Sequence, residues 1–561
     1  MAEGRDGFDF DWLVIGSGFG GSVSALRLSE KGYSVGVLEC GRRFADHEFP
    51  KTTGELRRYF WSPRLGLKGI FRMTPFKDVA VVSGCGVGGG SLGYACTLYV
   101  PPKAFFEDRQ WAEMTDWESE LAPHYAEAQR MLGVVENPHE DPADQLLREL
   151  GEELGVGDTY KHTPVGIYFG EPGKTVADPF FGGEGPDRTG CRLCGRCMVG
   201  CVHGAKNTLV KNYLYFAEKH GARVMPERTV IDIRPIGAGD GSDGYEVESE
   251  RSGAWMRRER RVQRARGVVV AAGPLGTNRL LQRCRLKGSL PKISVRLGEL
   301  VRTNSESILT VTVPEDYPDD LIKRVAITSS IYPDQHTHIE TVTYGDDGDS
   351  MRLLYTLLVG DGTRVTRPLK LLAQLIRHPD RLAKILFAKR WSRRTIIILV
   401  MQTLDNAIAL RPRRGPFDSL WLQTEQDPER PNPRFIPVAN QAAEWFAKRT
   451  GGIAQSSVFE AMFAVPSTAH ILGGAVIAPD AQRGVVDANQ RVFGYQNLLV
   501  CDGSAIPANV GVNPSLTITA LAEHAMSRLP AKGSQAAATN GHAGDARGEP
   551  AAHQTQGSAA A

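Results

Sequence analysis

Three glycines, Gly16, Gly18 and Gly21, stand in G-x-G-x-x-G spacing between an apolar run (residues 12–15) and an amphipathic stretch, and a second apolar run ends at Glu39, followed by Gly41. That order predicts strand, tight turn, helix, strand. The first glycine permits the turn, the second lets backbone approach a pyrophosphate, and the third lets the helix pack on the strand; Phe19 and Gly20 complete the turn at the helix N-terminus that faces the phosphates. Glu39, 23 residues after Gly16, is placed to accept hydrogen bonds from a ribose hydroxyl. An ordinary glycine turn is the competing reading, and the spacing does not separate NAD from FAD.

With 561 residues the chain is too long for one core and should hold two or three domains. A net charge of +2 with 42% hydrophobic residues fits a globular enzyme and not a nucleic-acid binder. Residues 1–12 carry no basic stretch leading into an apolar one, and no run of 18 apolar residues occurs. A cytoplasmic protein without a membrane span is expected.

Six glycines fall within residues 84–93, among them Gly86, Gly88, Gly89 and Gly90, followed by Ser91. Such density lets backbone amides reach a ligand and suits a second contact with the same cofactor; a flexible loop is the alternative. Residues 111–135 read as a helix with a turn at Ala122-Pro123, and 146–154 as another. A helix and then a strand containing Val230 are expected over 207–233. GVVVAAGPLGTNRLL (267–281) reads as a buried parallel strand beside the first one, with Ala272 and Gly273 turning into a helix. Residues 301–410 change to alternating strands (ESILTVTV, RVAITSSIY, THIETVTYG, MRLLYTLLVG, TIIILVMQTL), which predict an antiparallel sheet in a separate substrate domain. Ten Lys or Arg and one acid, Asp380, are interleaved with apolar residues over 364–394. This segment either lies on an anionic membrane surface or packs on the sheet with a solvated basic face. Residues 531–561 lack periodicity and read as a disordered tail.

GSGFGG with Glu39, GVGGGSL, VVVAAGPLGTNRLL, TAHILGG and DGSAIPANVGVNPSLTITALAE together resemble the glucose-methanol-choline (GMC) oxidoreductases, most closely the bacterial cholesterol oxidases that bind FAD non-covalently. The resemblance implies an α/β fold. A Rossmann-like FAD-binding domain would span 8–300, with a cysteine-rich insertion near 186–206, and would resume over 468–530. An antiparallel-sheet substrate domain would span 301–467. It further implies oxidation of a sterol 3β-hydroxyl by hydride transfer to flavin, with Δ5 to Δ4 isomerisation as a second reaction and O2 or a redox carrier as acceptor. By position, His470 and Asn513 match the family's active-site pair, Glu340 matches its isomerisation carboxylate more loosely, and Asp502, Gly503 and Pro514 fall in segments along the flavin. One departure is the stretch Gly93-Tyr94-Ala95-Cys96, where the family often has an asparagine.

Cys191, Cys194, Cys197 and Cys201 form C-x2-C-x2-C-x3-C, the spacing of ferredoxin loops, which the resembled oxidases lack. Three readings stand, in this order: an iron–sulfur cluster (4Fe–4S or 3Fe–4S), a structural zinc, and reduced thiols or disulfides. A cluster would favour the second functional reading, a dehydrogenase of a sugar or terpenoid alcohol that passes electrons through it to a carrier. A third reading is a flavoprotein without turnover that acts as a redox sensor.

Overall fold

The computed structural model describes residues 7–415 and 420–534. From 535 onward the expected tail lies outside the described residues.

Phe10–Ile15, the helix Phe19–Glu30 and Val35–Leu38 form the opening βαβ unit. Their sheet runs Arg223–Met225, Val35–Leu38, Phe10–Ile15, Arg261–Val270, Tyr245–Arg251, Arg228–Pro235. The first four strands are parallel and the last two antiparallel. Arg261–Val270 divides its partners along its length. Its basic half pairs with Tyr245–Ser249, while Val268–Val270 pairs in parallel with Leu498–Val500 from the far end of the chain. The strand therefore begins inside the basic stretch, several residues earlier than the apolar run alone indicates. Leu13, Val14, Val268 and Val269 are wholly buried in one core, against which the helices Phe19–Glu30, Trp117–Leu132, Tyr213–Lys219 and Ser515–Ser527 pack.

Trp117–Leu132 corrects the expected turn at Ala122-Pro123, because the helix runs through Pro123. Its start is fixed by Asp116, which accepts from the Ser119 N–H, and Gly133 in the left-handed conformation ends it.

The second sheet is antiparallel throughout, in the order Tyr355–Leu357, Ile453–Ser457, Ser307–Thr312, Thr395–Gln402, Thr337–Val342, Ile327–Asp334, Lys161–His162. The expected strand does not extend over MRLL, which winds into a 3-10 turn, and only Tyr355–Leu357 pairs. Leu309, Val311, Ile339, Ile396, Ile398 and Val400 face one core with the helices Pro142–Glu153 and Pro437–Thr450. On the opposite face lie Ile397, Leu399 and Met401, beside Val342. Successive strand side chains point to opposite faces, so His338 and Glu340 share this second face. An α/β molecule with a Rossmann-type sheet and a separate antiparallel sheet is what the observed topology comprises.

Candidate active site

The dinucleotide end is built from two glycine loops held together by Ser17. The Ser17 hydroxyl donates to Glu39 Oε2 (2.7 Å) and accepts from Gly88 N–H (3.1 Å), and Glu39 Oε1 accepts from Gly41 N–H (2.7 Å). Most of the glycines are required by contacts within the protein. A Cβ on Gly16 would stand 2.2 Å from Ala271 O, one on Gly21 would stand 2.1 Å from Gly16 O, and one on Gly89 would stand 2.6 Å from Gly18 Cα. Gly18 and Gly273 differ: a Cβ on Gly18 would find its nearest atom at 4.0 Å, and one on Gly273 would find nothing within 4 Å. These two leave open space at the N-termini of Phe19–Glu30 and Gly273–Lys287. Phe19–Glu30 starts without a side-chain cap or an acidic residue in its first turn, whereas the first N–H of Gly273–Lys287 is taken by the Asp502 carboxylate. The uncapped N–H groups of Phe19–Glu30 over the open space at Gly18 suit the diphosphate of FAD.

Asp502 joins this end to the last part of the chain. Its Oδ2 accepts from Gly273 N–H (2.8 Å) and the Thr277 hydroxyl (2.6 Å), and its Oδ1 accepts from Ser504 N–H (2.8 Å). Burial pushes its pKa up while these donors oppose the shift. Its carboxylate is thus engaged by protein. Ser91 also turns inward, donating to Gly88 O and accepting from Leu209 N–H. Ala272 caps Gly273–Lys287, and Gly86 and Gly90 lie in the second glycine loop. Val230 is half-buried on Arg228–Pro235, whose Arg228 N–H donates to Glu39 O (2.8 Å).

At the reacting end, His470 Nδ1 lies 2.5 Å from Glu306 Oε1. Asn513 Nδ2 lies 3.5 Å from both His470 Nε2 and Glu340 Oε2. Asn513 directly precedes Pro514, which caps Ser515–Ser527. The three residues singled out from sequence therefore meet, although they come from three distant segments. Burial pushes Glu340 up to about 8; the Asn513 amide opposes this and the Glu306 charge adds to it.

Two participants have no place in the sequence motifs. Glu306 is wholly buried and accepts from the Thr468 hydroxyl and Ala469 N–H at 3.0 Å each, which fixes it beneath His470. His338, two residues before Glu340, stacks on Tyr332 (4.5 Å) and meets the Tyr99 ring edge-on (5.0 Å). Burial, with His470 nearby, pushes His338 down to about 3, so it stays neutral. The strand alternation His338-x-Glu340 is the signal the sequence offers for His338. Glu306, one acid before an apolar strand, has none. Glu340 Oε1, Asn513 Oδ1 and both His338 nitrogens are buried without a hydrogen-bond partner. Native interiors seldom leave such atoms unpaired, and their grouping here makes this the candidate place for a polar ligand.

Cys191, Cys194, Cys197 and Cys201 line one pocket on a loop away from these residues. They form no disulfide. Thiolates around zinc, with bonds of ~2.3 Å, would stand about 3.8 Å apart. Among the described residues the group with three ligand atoms within 4.8 Å of one another is Glu39, Cys40 and Cys85, not these four, so the zinc reading lacks its geometry. Glu39 is occupied by Ser17 and Gly41.

The family model for FAD dependent oxidoreductases matches residues 11–392, and that for GMC oxidoreductases matches residues 408–522. The chain is 52% identical over 536 residues to a cholesterol oxidase of Mycobacterium tuberculosis, covering 94% of this chain and 92% of the relative. It is 49% identical over 531 residues to a cholesterol oxidase of Acinetobacter baumannii, covering 94% and 95%. A fungal aryl-alcohol oxidase structure superposes with a TM-score of 0.57 at 13% identity, covering 93% of this chain and 98% of that one, a likeness of fold. The glycine loops, the His470–Asn513 pair and these matches agree: the chain belongs to the FAD-dependent GMC oxidoreductases, in the cholesterol oxidase family.

Proposed function

We propose that this protein oxidises the 3β-hydroxyl of cholesterol or a related sterol to the 3-ketone and then moves the double bond from Δ5 to Δ4. The observation that carries the reading is the meeting of His470, Asn513 and Glu340 at one point, in a chain about half identical to cholesterol oxidases over nearly its whole length. That identity favours a sterol over a sugar or terpenoid alcohol.

Glu306 accepts a hydrogen bond from Nδ1–H of His470, which leaves Nε2 as the lone-pair nitrogen facing Asn513. Nε2 accepts the hydroxyl proton, and the buried Glu306 carboxylate stabilises the imidazolium that results. Asn513 orients the alcohol oxygen. FAD, when bound along the two glycine loops, supplies the hydride acceptor, and dioxygen is the terminal oxidant, giving hydrogen peroxide. Glu340, in its ionised form, takes a proton from C4 of the ketone and returns it at C6. Ile397, Leu399 and Met401 give the face around Glu340 the apolar character a steroid requires. The cysteine run takes no part in this chemistry.

We place the sterol supply at a membrane. The basic segment forms two helices, Thr366–Arg377 and Pro379–Leu386. Leu369, Leu372 and Ile376, at helical spacing on the first, are exposed, as is Phe387 after the second, at 81%. An apolar stripe turned outward among Lys and Arg suits an anionic lipid surface better than a solvated basic face. No helix among the described residues is long and apolar enough to cross a membrane. The absence of disulfides among the nine cysteines fits a cytoplasmic setting, which we propose.

Anaerobic mixing of reconstituted protein with a 3β-hydroxysterol should bleach the flavin, and no bleaching with any such sterol would overturn the reading. Sedimentation with phosphatidylserine vesicles should be lost in Ile376→Glu/Phe387→Glu while turnover of detergent-dispersed sterol persists. Equal sedimentation would remove the membrane proposal.

A further inference from the structure

Sterol oxidation leaves the four-cysteine loop without a task, yet its surroundings are specific. The backbone turns into the left-handed region at Leu193, Gly195 and Gly200, so the chain winds around one pocket, into which Cys191, Cys194, Cys197 and Cys201 all come. Much of the remaining lining is apolar, including Ile167, Val202 and Val325. The Leu193 N–H donates to Cys191 Sγ at 3.4 Å, the kind of bond that steadies a metal-bound thiolate.

The second observation is charge. Lys206, 1% exposed, lines the same pocket. Its ammonium donates to three carbonyls, those of Leu92 (3.0 Å), Tyr94 (2.8 Å) and Cys197 (2.9 Å), and to no carboxylate. Arg188, 2% exposed, donates to Ala205 O and Asn207 Oδ1, and its charge is offset in part by Asp46 and Asp178. A buried cation without a carboxylate partner is costly, and Lys206 beside four thiols calls for an anion in the pocket. Zinc with four thiolates would supply that charge, but no three of these sulfurs lie within 4.8 Å of one another, as a tetrahedral zinc would hold them. A larger core that separates its thiolates meets both conditions, and C-x2-C-x2-C-x3-C is the spacing at which such a core is held.

We propose that Cys191, Cys194, Cys197 and Cys201 hold a four-iron, four-sulfide cluster. On assembly from two ferrous ions, two ferric ions and four sulfides, four S–H bonds give way to four Fe–S bonds and the four protons leave to solvent. The cluster with its four thiolates is a dianion, which compensates Lys206. Lys206 bonds both the cysteine loop at Cys197 and the end of the glycine-rich loop at Leu92 and Tyr94, so the cluster braces the segment that lines the FAD space. The site does not depend on the identity of the alcohol.

Full-length protein purified without oxygen, and if necessary reconstituted with ferrous and ferric iron and sulfide, should contain about four iron and four acid-labile sulfide per chain. It should also give a paramagnetic signal after dithionite reduction. Cys194→Ser and Cys197→Ser should lose iron, whereas Cys284→Ser, far from the loop, should retain it. FAD content reports whether each variant has folded. Wild-type protein that stays iron-free after reconstitution, or that contains zinc instead, overturns the proposal whatever the variants do.

Discussion

Glu306 makes no approach to the reacting oxygen, but it decides what His470 can do. With Nδ1 committed to a buried carboxylate, only Nε2 is free to take a proton. Glu306→Gln should therefore lower kcat at least about tenfold with a smaller change in KM, since a glutamine can hold the ring in the wrong tautomer. His470→Ala should cost roughly 10²–10⁴-fold in kcat. Equal kcat in Glu306→Gln and wild type would reduce the contact to packing. Glu340 makes a separate forecast. Its pKa is raised from 4.5 to about 8, so the ionised form that isomerisation needs grows as pH rises through about 8. The ratio of Δ4 to Δ5 ketone should follow that limb, and an unchanged ratio between pH 6 and 9 would remove Glu340 from the step. The sign for stability is opposite. The folded state holds this proton more tightly than the unfolded chain, so stability falls as pH climbs from about 4.5 to about 8. Glu340→Gln should hence raise Tm more at pH 8.5 than at pH 5.

At the scale of elements, the two glycine loops illustrate what spacing can and cannot convey. G-x-G-x-x-G locates the strand, turn and helix, but assigns its glycines by their usual roles. The structure separates them by what each would strike. Gly18 has a φ of −72° and open space where a Cβ would go, whereas Gly16 has a φ of 104° and a carbonyl there. Gly18→Ala should leave the melting temperature of the FAD-free protein nearly unchanged and weaken FAD binding. Gly16→Ala should lower both. A Gly18→Ala protein that binds FAD as wild type does would move the diphosphate elsewhere. Thr395–Gln402 shows a related limit: its unbroken apolar run announces burial on both faces, but not that one face covers helices and the other the site. The expected turn at Pro123 does not form because a proline weakens a helix only locally, while packing of Leu121, Tyr125 and Ala128 holds it straight through.

On the scale of the whole molecule, the site is partly legible in the sequence. His470 and Asn513 are marked by the motifs around them, and both glycine loops by their density. Glu306, His338 and the engagement of Asp502 are not, because they depend on contacts between segments more than 100 residues apart in sequence, to which no local pattern points. The edge strand Lys161–His162 joins the second sheet through the same kind of distant contact.

The pairing of Val268–Val270 with Leu498–Val500 has a bearing on how the protein is made. On the ribosome, that seam cannot close until more than two hundred further residues have been synthesised, and Asp502 cannot reach Gly273 and Thr277 before then. Until that point the nascent chain presents an apolar, unpaired strand border, which is the feature most prone to join another chain. A polypeptide stopped before residue 498 should accumulate as aggregate however complete its second sheet is. A soluble, FAD-retaining fragment would show that the late strand is dispensable.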